Sequence, residues 1–176
     1  MAGDSRLIGG IQAVDRAYIG VLRVLVMVLA GFSGLAVLTM MAVTTTDVAM
    51  RAVTKSSITG AYDIVKIAGA IAIACALPYT TAVKGHVAVE YFFHKLRRRG
   101  RIVVDTVTRL LVIIFFVVVA RQTLLYGHTL RETGEVSLTL PVPVFWVAYV
   151  ISGALAVTVL VKVHNLLHPG REMIKP

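Results

Sequence analysis

Four long apolar stretches, parted by short polar segments, organise this chain. The first, Val24 to Thr46, holds 23 residues without a charge between Arg23 and Asp47. Wound as a helix it reaches about 35 Å, enough to cross a hydrocarbon core of about 30 Å. The second runs uncharged from Ile67 to Val83, 17 residues. Asp63 and Lys66 stand at its start, three apart on one helix face, a spacing that allows an ion pair. Pro78 predicts a kink towards its far end. The third, Ile102 to Tyr126, is broken by Asp105, Arg109 and Arg121 and is fully apolar from Leu110 to Ala120. The fourth has 26 uncharged residues from Val136 to Val161. Pro141 and Pro143 suit the first turn of its helix, and Trp146 and Tyr149 fall one to two turns in, at the level of an aromatic belt. The pattern predicts an all-α integral membrane protein with transmembrane spans at about 20–46, 62–83, 102–127 and 138–162, a single domain over 1–176.

Two further segments are amphipathic at helical spacing. Leu7, Ile11, Val14 and Tyr18 share one face while Arg6, Gln12 and Arg16 look away; Val89, Phe92, Phe93 and Leu96 form another face, followed by Arg97, Arg98 and Arg99. Both, at about 4–19 and 87–98, suit helices lying along a membrane interface or packed on a partner. The first apolar run is too long for a signal-peptide core and reads as a retained span. Small residues cluster at Ala30, Gly31, Ser33 and Gly34 and again from Ser152 to Ala156, where helices can approach closely.

Charge then orients the spans. Of the 176 residues 57% are hydrophobic and 15% charged, and the net charge is +9. Twelve of the 18 basic residues fall in the N-terminal segment, the middle loop and the C-terminal tail, whereas the other two loops hold Arg51, Lys55 and Arg131. The positive-inside rule therefore predicts cytoplasmic termini and a cytoplasmic Arg97–Arg101 cluster. Basic residues confined to such segments, without interleaved aromatics, point away from nucleic acid. Arg97, Arg98, Arg99, Arg101 and Trp146 are the expected interface anchors. The single cysteine, Cys75, rules out an intramolecular disulfide.

Candidate chemistry is sparse. The first, second and fourth spans carry no charge near mid-membrane, which counts against a small proton-coupled exporter. Arg109 and Arg121 lie about 18 Å apart along a helix, off-centre in opposite directions, and each reaches its own interface by snorkelling. Asp105, four residues before Arg109, is placed to pair with it. Of the five histidines, His86, His94 and His164 fall at the boundary nearest the termini, His168 in the tail and His128 at the opposite end; His86 and His164 leave open a haem between two helices. No phosphate-binding loop, metal-ligand cluster or activated nucleophile is apparent, so no cofactor and no enzymatic activity are expected. Gly134, in Arg131-Glu132-Thr133-Gly134-Glu135, reads as a turn residue.

Local motifs add a resemblance. The stretch from Arg51 through Ser57-Ile58-Thr59-Gly60-Ala61-Tyr62-Asp63 is one. Tyr79-Thr80 followed by Gly85-His86-Val87-Ala88-Val89-Glu90 is a second, and Glu135-x-Ser137 before Leu140-Pro141-Val142-Pro143-x-x-Trp146 a third. Their order over Val21 to Val161 resembles the small membrane subunit (DctQ type) of tripartite ATP-independent periplasmic (TRAP) transporters. Glu90 stands where that family usually has Asp, and Asp63 where Glu is common; neither departure changes charge. The resemblance implies an accessory subunit in a bacterial inner membrane. It would brace a large membrane subunit that carries the sodium sites and help receive a periplasmic substrate-binding protein, typically for organic acids. Its functional residues would be outward-facing charges, Arg51, Lys55, Arg131, Glu132 and Glu135, and lateral packing positions, Ala30, Gly34, Ser152 and Ala156. Two other readings stay open: the small subunit of a tricarboxylate-type tripartite system, and a haem-binding or quinone-linked anchor subunit.

Overall fold

A computed structural model describes residues 2–83, 98–137 and 139–167, with side chains described over 18–83, 106–137 and 139–166. It is all-helical apart from the loops: α1 (Ala2–Thr54), α2 (Ala61–Ala82), α3 (Arg98–Thr133) and α4 (Phe145–Leu167). Each contains a stretch long and apolar enough to cross a membrane, at Tyr18–Thr54, Ala61–Ala82, Thr106–Thr133 and Phe145–Leu166. At 53 residues α1 extends about 80 Å, well beyond a bilayer core. The 4–19 segment is helical and runs unbroken into the first span. Most of the 87–98 segment, with Arg97, lies outside the described residues.

Within hydrocarbon every polar group must find a partner inside the chain. Several threonines meet this need by bonding back to their own helix, as Thr39 does to Leu35 O, Thr46 to Ala42 O, Thr123 to Val119 O and Thr158 to Ala154 O, whereas the buried Thr81 hydroxyl has no hydrogen-bond partner among the described residues. Two serines bond across instead. Ser33 Oγ donates to Ala72 O at 2.8 Å, tying α1 to α2, and Ser152 Oγ donates to Ala120 O at 2.9 Å, tying α4 to α3.

The helices form an open row in the order α1, α2, α4, α3, with α1 touching α4 over a short stretch. Small side chains make the central seam: Ala74 and Cys75 of α2 meet Ala154 of α4, backed by Leu29, Ile71 and Ile151. Nearer the termini, Leu22 and Val26 of α1, Ala82 of α2 and Val161 of α4 form a second cluster. α2 continues through the buried Pro78 to Ala82.

The fourth helix begins later than the sequence suggests. Pro141 and Pro143 precede α4 instead of filling its first turn, and Trp146 is its second residue. A residue before proline is pushed out of the helical region, so Leu140 and Val142 stay extended or turned. Ser137 N bonds Val142 O, and Val136 bridges Pro143.

Candidate functional site

The loops 55–60 and 134–144 meet at one end of the row, and two aspartates organise them. Asp47 sits near the end of α1, 7% exposed. Its Oδ1 accepts Ile58 N at 2.8 Å and Ser57 Oγ at 3.1 Å, while Oδ2 pairs with Arg51 at 2.6 Å. Arg51 Nη2 also donates to Ser57 Oγ at 3.2 Å. The first loop is thus folded back along the final turns of α1. That helix ends at Lys55: its N–H still bonds Arg51 O, and its left-handed φ of 55° then turns the chain out of the helix.

Asp63 holds the second loop. It lies in the first turn of α2, where the helix dipole favours negative charge, and is 1% exposed. Its Oδ2 accepts Thr139 N at 2.8 Å, Leu140 N at 3.2 Å and the Thr139 hydroxyl. A carboxylate taken out of water is costly unless hydrogen-bonded, and here three donors from one loop surround a single oxygen. The Asp63–Lys66 pair suggested by their spacing does not form: the carboxylate turns inward to 139–140 and Lys66 is exposed.

Gly60 locks the two loops together. It has a φ of 89°, and a Cβ there would stand 2.6 Å from Leu140 Cγ; only glycine suits both the conformation and the contact. Gly134, at φ 65°, ends α3 while Glu135 N bonds Leu130 O, so the expected turn role holds. α3 meets α4 closely here as well. Gly127 faces Ala148 and Tyr149, and Tyr149 OH lies 3.3 Å from His128 Nδ1.

The five charged docking candidates, Arg51, Lys55, Arg131, Glu132 and Glu135, are all exposed at this end. Arg51 and Lys55 belong to the α1–α2 corner; Arg131, Glu132 and Glu135 close α3 at the other edge of the row. The platform is therefore basic on one side and mixed to acidic on the other. Beneath it an apolar groove of about 370 Å³ runs between α1 and α2, with Phe32, Leu35, Ile67 and Ile71 in its walls and Leu140 and Trp146 at its rim.

The remaining predicted positions are scattered. Ser152 is buried in the α3–α4 contact and Ala30 is half-buried, whereas Gly34 and Ala156 are exposed, with nothing within 4 Å of a Cβ at Gly34. Arg109 reaches across to α4, donating from Nη1 to Asn165 O at 3.3 Å, and Arg121 is exposed. The backbone at Arg98, Arg99, Arg101 and Asp105 belongs to α3, but their side chains lie outside the described residues, as does the Asp105–Arg109 pair. His164 is buried beside Tyr18, ring centroids 6.1 Å apart; its proposed haem partner His86 is outside the described residues. Among the described residues no three His, Cys, Asp or Glu side chains converge as for a metal ion.

Sequence reasoning overlooked Asp47 and Asp63 as loop anchors. The available cue was positional: each is an aspartate at the loop end of a span.

Four spans in an open row, capped at one end by interlocked loops, define a helical multi-pass membrane protein. The chain matches, over residues 40–171, the family described as "Tripartite ATP-independent periplasmic transporters, DctQ component". The match takes in the loop end and α2 to α4 entire, and the chain belongs to this family: it is a small membrane subunit of a TRAP transporter. No curated protein and no solved structure matches it. The family is one of transporter subunits, not of enzymes.

Proposed function

We propose that this chain braces the large membrane subunit of a sodium-coupled transporter for organic acids in a bacterial inner membrane. Its loop end, facing the periplasm, helps receive the substrate-binding protein. The observation that carries the bracing role is the open row. Within the chain, 11% of the α1 apolar window and 6% of the α3 window are buried, against 33% for α2 and 39% for α4. Transport requires a site whose occupancy changes conformation, commonly built at broken helices near the midplane. Here the described spans are unbroken. That arrangement suits a scaffold presenting lateral faces, with Gly34 and Ala156 open on them for close helix approach. The distribution of basic residues supports cytoplasmic termini, which puts Asp47, Asp63 and the interlocked loops on the periplasmic side.

Reconstitution tests this reading. Sodium-dependent organic-acid uptake into vesicles should require this chain, the large subunit and the binding protein together. Uptake by this chain alone would overturn the accessory role, and full uptake without it would remove the brace.

A further inference from the structure

We infer that Asp63 is a positioning residue for partner capture: through Thr139 and Leu140 it fixes the second loop against the first, so that both present one preformed surface to the binding protein. The inference rests on the docking role proposed above.

Several observations converge on it. The hydrogen bonds of Asp63 run to the second loop: two backbone N–H groups and one hydroxyl from Thr139 and Leu140, with the Ser137 side chain as a further partner. As a contribution to stability alone, a buried carboxylate is a poor choice, since well-packed apolar groups at such sites are often as stabilising. What the carboxylate supplies is direction, because three donors converging on one oxygen leave the 139–140 turn little freedom. Leu140 then sits over Gly60, so the placement passes to the first loop without an intervening residue. The first loop is held by a matching device, with Asp47 accepting Ile58 N and Ser57 Oγ.

The surface so fixed is dipolar. Arg51, paired with Asp47, and Lys55 stand at the α1–α2 corner, while Arg131 and Glu132 in the last turn of α3 and Glu135 just beyond it stand at the opposite edge. Its complement is a soluble protein face with acidic side chains towards 51–55 and basic ones towards 132–135. Held loops let such charges meet a partner without first paying an ordering cost, and this lowers the concentration needed for capture. Releasing the second loop should therefore weaken capture and leave the later steps of transport intact.

The test uses the complete reconstituted system, with uptake measured against the concentration of loaded binding protein. For Asp63→Ala, the half-saturating concentration should rise about tenfold while uptake at saturation stays within about twofold. Asp63→Asn, which keeps one oxygen for the backbone donors, and Thr139→Val, which removes the hydroxyl, should shift it in the same direction by less. If Asp63→Ala fails to assemble with the large subunit, these two milder variants decide. Unchanged half-saturation, or a fall confined to the saturating rate, overturns the positioning role. Lys55→Glu and Glu135→Lys separate the two levels. If they shift half-saturation and the Asp63 and Thr139 variants do not, the docking role stands and the positioning role falls. If none of these variants shifts it, both fall.

Discussion

The inner pair of helices, α2 and α4, and the flanking pair, α1 and α3, solve different problems with similar alphabets. Within their membrane-crossing stretches the flanking helices are the more apolar, yet they are the more exposed: Val21, Leu38, Leu111 and Phe115 are each more than 60% exposed. The inner helices carry alanine, cysteine, serine and threonine at their contacts, with Ala74, Cys75, Ala154 and Thr158 nearly inaccessible. This inverts the arrangement of a water-soluble core and has a simple cause. Lipid tails are as apolar as leucine, so large aliphatic side chains gain little by leaving them, whereas small ones let backbones approach and pack. Along the central α2–α4 seam, smallness marks the inside, whereas nearer the termini Leu22, Val26 and Val161 are buried as well.

The sharpest way to break that contrast is to make the same change on both sides of it. Gly60→Ala puts a Cβ 2.6 Å from Leu140 Cγ at a φ of 89°. The left-handed backbone and the overpacking together should destabilise the chain by about 2–4 kcal/mol. Gly34→Ala meets nothing within 4 Å and should be neutral or stabilising by up to about 1 kcal/mol, since alanine is the better helix former. Unfolding of the purified chain in mixed micelles, titrated with denaturing detergent, gives both values. Equal losses would mean that α1 is packed where the row leaves it open.

The two regions also differ in how far the sequence discloses them. Spans are legible because uncharged runs such as Val24–Thr46 need no tertiary information. Helix order is not, because helices apolar on every side carry little periodicity to say which face is buried. The site was half legible. Arg51, Lys55, Arg131, Glu132 and Glu135 follow from charge at loop ends, but Asp63 and Thr139 are 76 residues apart and no local pattern joins them. The expected Asp63–Lys66 pair was a sound local rule overruled by three donors arriving from that distance. Pro141 and Pro143 misled for a related reason: one proline suits a first helical turn, but two in alternation constrain each preceding residue and delay the helix to Phe145.

A second, smaller contrast lies within α4. Ala154, 2% exposed, packs on Ala74 and Cys75, while Ala156, two residues on, is exposed. Ala154→Leu should cost about 1–3 kcal/mol through overpacking, and Ala156→Leu less than about 0.5 kcal/mol. Co-purification with the large subunit adds a second reading. Should Ala156→Leu leave the isolated chain stable but reduce recovery of the large subunit, the open face of α4 is where the brace bears. Equal destabilisation by both variants would contradict the placement of the α2–α4 seam.

The smallest expected effects test the row most directly. Ser33 and Ser152 each donate one hydrogen bond from one helix to the backbone of its neighbour, Ser33 from α1 to Ala72 O and Ser152 from α4 to Ala120 O. Interhelical hydrogen bonds in membranes contribute on average about 0.6 kcal/mol, because the separated helices also find partners. Ser33→Ala and Ser152→Ala should each lower stability by about that amount in the same detergent titration. Their positions decide what the double variant does. In an open row the α1–α2 and α4–α3 contacts share no side chains and lie on opposite flanks, so the losses should add to within about 0.5 kcal/mol. In a closed bundle α1 would pack on α3, and loosening one contact would load the other. A double-variant loss well outside the sum would therefore show that the flanking helices touch, and the open row would have to be replaced by a closed one.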